Sequence, residues 1–326
     1  MKYAILGAGG CFGINTANYL LDHGHEVLGI GRARMRGPAF DLGVTERKGF
    51  KYRVLHLTRN FNEMMDLLAV ERPEVIVNYC ALSDVALSWE YPAAYYETNL
   101  MTQARLVDAL SKADWLKRFI HIGTSELYGP VTEPALEDDP LNPTSPYAVS
   151  KMAFDLHLNA MHRVKGFPMN ILRPSNCYCP GQLLYRVIPK AVVCGLTGRK
   201  MPLQGGGRAE KSYMHAADLS RGIQMVAEGA PLGETYNLGP ERWTSIRALI
   251  QLAAAAVGVN FYDLVEETPG RIGEDSRYAV NSDRILSDIG WRPQITLGDG
   301  LFEMAEWGRR HIDQLRDLPT DYVFRT

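Results

Sequence analysis

"KYAILGAGGCFG", Lys2 to Gly13, decides the fold of this 326-residue chain. The opening KYAIL lacks polar alternation, as a strand buried on both faces does. Glycine then recurs as GxxGxxG at Gly7, Gly10 and Gly13, and a helical pattern runs on to Asp22. Glycines there allow a tight turn and let backbone approach a pyrophosphate. The helix that follows aims its free N–H groups at the charge. Between strand and helix, this spacing predicts a dinucleotide site built from Gly7, Gly10, Cys11, Phe12 and Gly13.

The same rhythm continues outward. HEVLGI, YRVLHL, EVIVNYCA, RFIHIG and MNILR read as further strands, with helical patterns from Phe61, ending near Lys112, and from Pro146. Strands alternating with helices predict an α/β chain: a Rossmann-type, doubly wound parallel sheet. After Arg173 the texture turns to Pro and Gly punctuation (RPSNCYCPGQ, KMPLQGGG), with one more sheet-type strand, ETYNLG. Residues 1–173 plus 218–240 are therefore expected to form the dinucleotide-binding domain. Residues 174–217 plus 241–326 are expected to form a smaller substrate-binding lobe.

Composition narrows the function. A formal charge of -2 with no Lys/Arg block argues against a nucleic-acid surface. No apolar run approaches the roughly 20 residues of a membrane span. Met1 leads straight into a strand without a signal sequence, and the five cysteines form no even framework and no CxxC, which points to reducing cytoplasm. Cys177 and Cys179 have no histidine near them in sequence and read as buried, inert thiols, with no metal site expected.

The adenosine ribose is normally read at the end of the second strand, by an acid for a 2'-hydroxyl or an Arg for a 2'-phosphate. Here that strand ends in GRARMRG, with Arg32, Arg34 and Arg36 and no acid. This favours NADP; a solvated basic turn with NAD bound through other contacts stays open.

The fifth strand runs into "HIGTSELYG", where Thr124, Ser125 and Glu126 place two hydroxyls and a carboxylate at a carboxyl-terminal sheet edge, the side on which ligands of open parallel sheets lie. About twenty residues later SPYAVSK sets Tyr147 and Lys151 four apart on one helix face, with Ser145 as cap and Pro146 as first residue. A phenol with a pKa near 10 needs its anion stabilised by roughly three units, about 4 kcal/mol, to act as a base at pH 7. A solvated strand end and satisfied loop backbone remain the plainer alternatives for Glu126, Thr124 and Ser125. His121 reads as a packed core histidine.

GxxGxxG, TSE and YxxxK in this order resemble the extended short-chain dehydrogenase/reductase family, specifically its nucleotide-sugar 4,6-dehydratases. TSELYG, SPYAVSK, LSDVALSWEYP and GHEVLGIGR are similar to GDP-mannose 4,6-dehydratase. GQLLYRVIPKAVV and PGRIGEDSRYAV…ILSDIGWRP look more like dTDP-glucose 4,6-dehydratase. The resemblance implies a nucleotide-diphosphate hexose as substrate. Thr124 and Tyr147 would engage its O4, Tyr147 removing the proton, and Glu126 would take the C5 hydrogen as O6 leaves as water. Ser83, Asn176, Lys211 and Arg277 would lie on the substrate side. The resemblance also implies a homodimer formed by the Tyr147 helix and the helix over 92–112.

Three departures qualify it. Ser125 stands where dTDP-glucose enzymes carry Asp, so Glu126 or a water would protonate O6. His56 replaces the Asp near the adenine. Lys211 and Ser212 replace Arg and Asp, giving a point charge where a guanidinium fork is usual. C4 epimerases and UDP-glucuronate decarboxylases share the first oxidation, and a dinucleotide-sensing protein without turnover would keep the fold.

Overall fold

A computed structural model of the chain describes residues 1–269 and 277–321. Residues 270–276, inside the PGRIGEDSRYAV stretch of the resemblance, and 322–326 lie outside the described residues. Six parallel strands, β1 (Lys2–Leu6), β2 (Glu26–Gly31), β3 (Phe50–Val54), β4 (Val75–Asn78), β5 (Arg118–Ile122) and β6 (Met169–Pro174), are joined by a seventh, Thr235–Leu238. Their order is Thr235–Leu238, β6, β5, β4, β1, β2, β3, so strand order reverses between β1 and β4. Ligands of open α/β sheets bind at that reversal, outside the carboxyl ends.

Both faces are covered, which explains the unbroken apolar strands. Tyr3, Ile5, Val75, Val77, Ile120 and Ile122 pack on one side with helices Cys11–Asp22 and Ala216–Gly229. The alternate residues Ala4, Leu6, Ile76, Phe119 and Ile171 pack on the other with helices Phe61–Glu71, Thr102–Leu110 and Pro146–Lys165. The period of two assigns each neighbour to opposite layers.

The third strand is displaced from YRVLHL. It starts at Phe50 and ends at Val54, because the His56 ring turns the chain: its Nδ1 accepts from the Thr58 N–H at 3.2 Å. The histidine thus caps a turn as an Asp side chain would. A separate core, around Val192, Met201, Leu203, Leu249 and Trp307, forms where helices Val187–Thr197, Ile246–Val257 and Leu297–Leu315 pack together. Among the described residues no helix is long and apolar enough to cross a membrane.

Candidate active site

Gly7 leaves β1 with φ +87°, a conformation that L side chains rarely adopt, and Gly10 sits at the N-cap of helix Cys11–Asp22 with no side-chain cap over the helix end. A Cβ on Gly13 would meet the Ala8 Cα at 2.7 Å, so only glycine lets the helix lie this close to the turn. Cys11 is the first residue of that helix, and Phe12 lines the cavity below. This cradle of bare backbone fits a dinucleotide pyrophosphate. Arg32 is exposed one residue beyond β2, and its charge reaches both His56 and Cys80. Tyr52 leans over Gly9 and donates to the Ala33 carbonyl at 2.8 Å.

A cavity of about 630 Å³ opens at the carboxyl ends of the strands, lined among others by Ser83, Thr124, Glu126, Tyr147, Lys151, Asn176 and Lys211. Thr124 ends the extended chain and caps the short helix Ser125–Tyr128, its Oγ1 accepting from the Glu126 N–H at 3.2 Å. That cap directs Glu126 back toward the cavity. Ser125 is 2% exposed and does not appear on the cavity wall.

Ser145 accepts from the Ala148 N–H at 3.1 Å, Pro146 opens the helix and Gly166 closes it with φ 64°. Residues 147, 151 and 155 then fall on one inward stripe, all buried. Burial pushes the Tyr147 phenol up, and the Glu126 carboxylate pushes it further, while a hydrogen bond with Thr124 pulls it back. Burial draws the Lys151 ammonium down to about 8, opposed chiefly by Asp155. Lys151 Nζ donates to the Ile122 carbonyl at 2.7 Å.

The expected diphosphate side divides. Lys211 lies on the cavity wall, 5.2 Å from the Tyr278 ring centroid, and Asn176 accepts from the Tyr278 hydroxyl at 2.9 Å. Arg277 is turned to Glu210, Nε donating to Oε2 at 2.7 Å, with its guanidinium 4.1 Å from the Trp243 ring centroid. It is not among the residues that line the cavity.

Sequence reading missed Arg186, which lies on the cavity wall over its neighbour Tyr185 and acts on both Glu126 and Tyr147. It sat unassigned within GQLLYRVIPKAVV. Asp155 was also missed, although its place eight residues beyond Tyr147 follows from helical spacing. Asn99 was missed too. Its side chain clamps Leu82, accepting from the N–H at 2.8 Å and donating to the carbonyl at 3.0 Å, and reaches Ser150 Oγ at 3.0 Å.

A dinucleotide cradle facing a Thr/Glu/Tyr/Lys cavity is the arrangement of a nicotinamide-dependent nucleotide-sugar enzyme, and the chain belongs to the NAD dependent epimerase/dehydratase family, which it matches over residues 3–239. It is 33% identical over 237 residues to a dTDP-glucose 4,6-dehydratase of Streptomyces niveus, covering 72% of this chain and 70% of that one. It is 29% identical over 304 residues to the low-salt glycan biosynthesis protein Agl12 of Haloferax volcanii, covering 92% and 96%. Among solved structures it resembles DesIV, a dTDP-glucose 4,6-dehydratase from Streptomyces venezuelae solved with NAD bound, with TM-score 0.87, 28% identity and 96% and 98% of the chains covered.

Proposed function

We propose that the chain catalyses 4,6-dehydration of a nucleotide-diphosphate hexose to its 4-keto-6-deoxy form. The observation that carries the reading is Glu126 entering the same cavity as Thr124, Tyr147 and Lys151. Gly7, Gly10, Cys11, Phe12 and Gly13 would hold the dinucleotide, which supplies a reversible hydride acceptor when bound. Tyr147 takes the O4 proton, with Thr124 fixing the hydroxyl and the Lys151 charge favouring the phenolate. Once C4 is a ketone, C5–H is acidic and Glu126 would remove it as O6 leaves as water; return of the hydride to C6 and of a proton to C5 would then close the C5=C6 bond and give the 4-keto-6-deoxy sugar with no net oxidation. Ser125 supplies no acid, so protonation of O6 falls to Glu126 or a water.

Arg32 in place of an acid supports NADP over NAD. Lys211 and Asn176 hold the diphosphate side, with Ser83 nearer the sugar, while Arg277 supports that side from its pair with Glu210. We assign residues 1–173 plus 218–240 to the cofactor domain and the remainder to a substrate lobe. Exposed Met101 and Leu156, on the two helices expected to pair, support a homodimer, and the composition supports a cytoplasmic setting. Incubation with GDP-, dTDP-, CDP- and UDP-hexoses should give a product lighter by one water. A panel in which no sugar loses water would overturn dehydration.

One observation favours a second reading. A hexuronate would need a cation near C5, and Arg186 brings one beside Glu126. Loss of carbon dioxide from a UDP-hexuronate, abolished by Arg186→Met, would select it.

A further inference from the structure

His121, in β5, is 1% exposed, with its ring edge-on to Phe154 at 4.7 Å between centroids. Its Nε2 lies 3.0 Å from Lys151 Nζ and 3.7 Å from Asp155 Oδ1. Oδ2 of the same carboxylate accepts from Arg173 at 2.9 Å, whereas Oδ1 has no hydrogen-bond partner among the described residues. Titratable groups stand around Lys151 on several elements: Tyr147 and Asp155 on its own helix, His121 on β5, Arg173 on β6 behind Asp155, and Cys80 in the loop after β4. Burial lifts the Cys80 thiol to about 12 and so keeps it protonated.

An ammonium has three donors and no acceptor. β5 offers the Ile122 carbonyl as acceptor for one and sets His121 Nε2 within reach of a second, while the Asn78 amide nitrogen stands 3.4 Å from Nδ1. The third is left for the cavity, where Tyr147 and the cofactor ribose belong.

We infer that His121 is a positioning residue: as a neutral imidazole it accepts from Lys151 through Nε2 and so aims the remaining ammonium proton at the reacting phenol. Burial, together with the Lys151 and Arg173 charges, holds His121 well below the usual imidazole range, so it stays an acceptor while Lys151 is charged. An aliphatic side chain there would leave a buried ammonium with one backbone acceptor and freedom to turn. The inference rests on reading Tyr147 and Lys151 as the reacting pair, but its test reads Lys151 itself.

In protein carrying [13C]lysine, with the resonance assigned by Lys151→Met, the Lys151 ε-carbon should titrate near about 8. In His121→Leu it should titrate about one to two pH units lower, the size expected on losing a hydrogen bond to a charged group. His121→Gln, whose carbonyl oxygen accepts, should restore it and should also restore the kcat that His121→Leu loses at unchanged KM. Identical titration in all three proteins overturns the inference. If His121→Leu does not fold, the 15N spectrum of wild-type His121 decides: unprotonated Nε2 near pH 7 supports the inference, and protonated Nε2 overturns it. Absence of water loss from any sugar would leave these spectra readable, so the two failures are distinct.

Discussion

Arg173 Nε stands 2.9 Å from Asp155 Oδ2, the two side chains 4% and 0% exposed, and this pair ties the end of β6 to the Tyr147 helix. Burial pushes the Asp155 carboxyl up and Arg173 is the largest influence pulling it back. Removing the guanidinium strands a buried charge. Arg173→Met should therefore cost about 3–5 kcal/mol in urea unfolding, with much of it recovered in the Arg173→Met/Asp155→Asn double variant. A single-variant loss under 1 kcal/mol would mean that the carboxyl is already neutral.

Tyr147→Phe removes one hydroxyl and leaves the ring packed edge-on to Tyr95 at 6.4 Å. Melting temperature should hardly move, while single-turnover reduction of the bound cofactor slows by about 10²–10⁴-fold. Reduction at the wild-type rate would remove the phenol from the reaction.

Glu126→Gln should keep reduction of the cofactor in the first turnover and lose exchange of the C5 hydrogen with solvent deuterium. Continued deuterium uptake at C5 by the Gln variant would assign that step elsewhere.

For the free enzyme, kcat/KM should fall above about pH 8. Lys151 is depressed to about 8, so its charge, present below that pH, disappears above it, and with it goes the stabilisation of the phenolate. The Tyr147 phenol, pushed up by burial, titrates well above this window, so its own ionisation does not offset the fall. Lys151→Arg keeps the charge at all accessible pH and should lose the alkaline limb at a lower maximal rate; a limb that persists near pH 8 would place its origin in another group.

Arg32→Glu tests the cofactor. A carboxylate beyond β2 accepts from a ribose hydroxyl and repels a 2'-phosphate, so the ratio of NADP to NAD affinity should fall tenfold or more, as about 1.4 kcal/mol implies. An unchanged ratio in fluorescence titrations would assign the choice to other contacts.

Local chemistry was legible residue by residue. The glycine turn, the Ser145 cap, the Pro146 start and the i, i+4 pair of Tyr147 and Lys151 each depend on spacing along one segment, and the structure builds them as the spacing requires. The third strand slipped because His56, no usual turn residue, stops it by a ring-to-backbone hydrogen bond that propensity does not encode.

The sequence alone determined which segments are strands and helices buried on both sides, and that a glycine turn before a helix and a Tyr/Lys pair exist, because periodicity and backbone freedom are properties of neighbours in the chain. Tertiary structure alone decided that Arg186 faces Glu126, that Arg277 turns to Glu210, and that His121 lies between Lys151 and Asp155. Those relations join residues tens to more than sixty positions apart. A charge takes its partner from whichever side chains share its desolvated space, and only the packed sheet specifies that space.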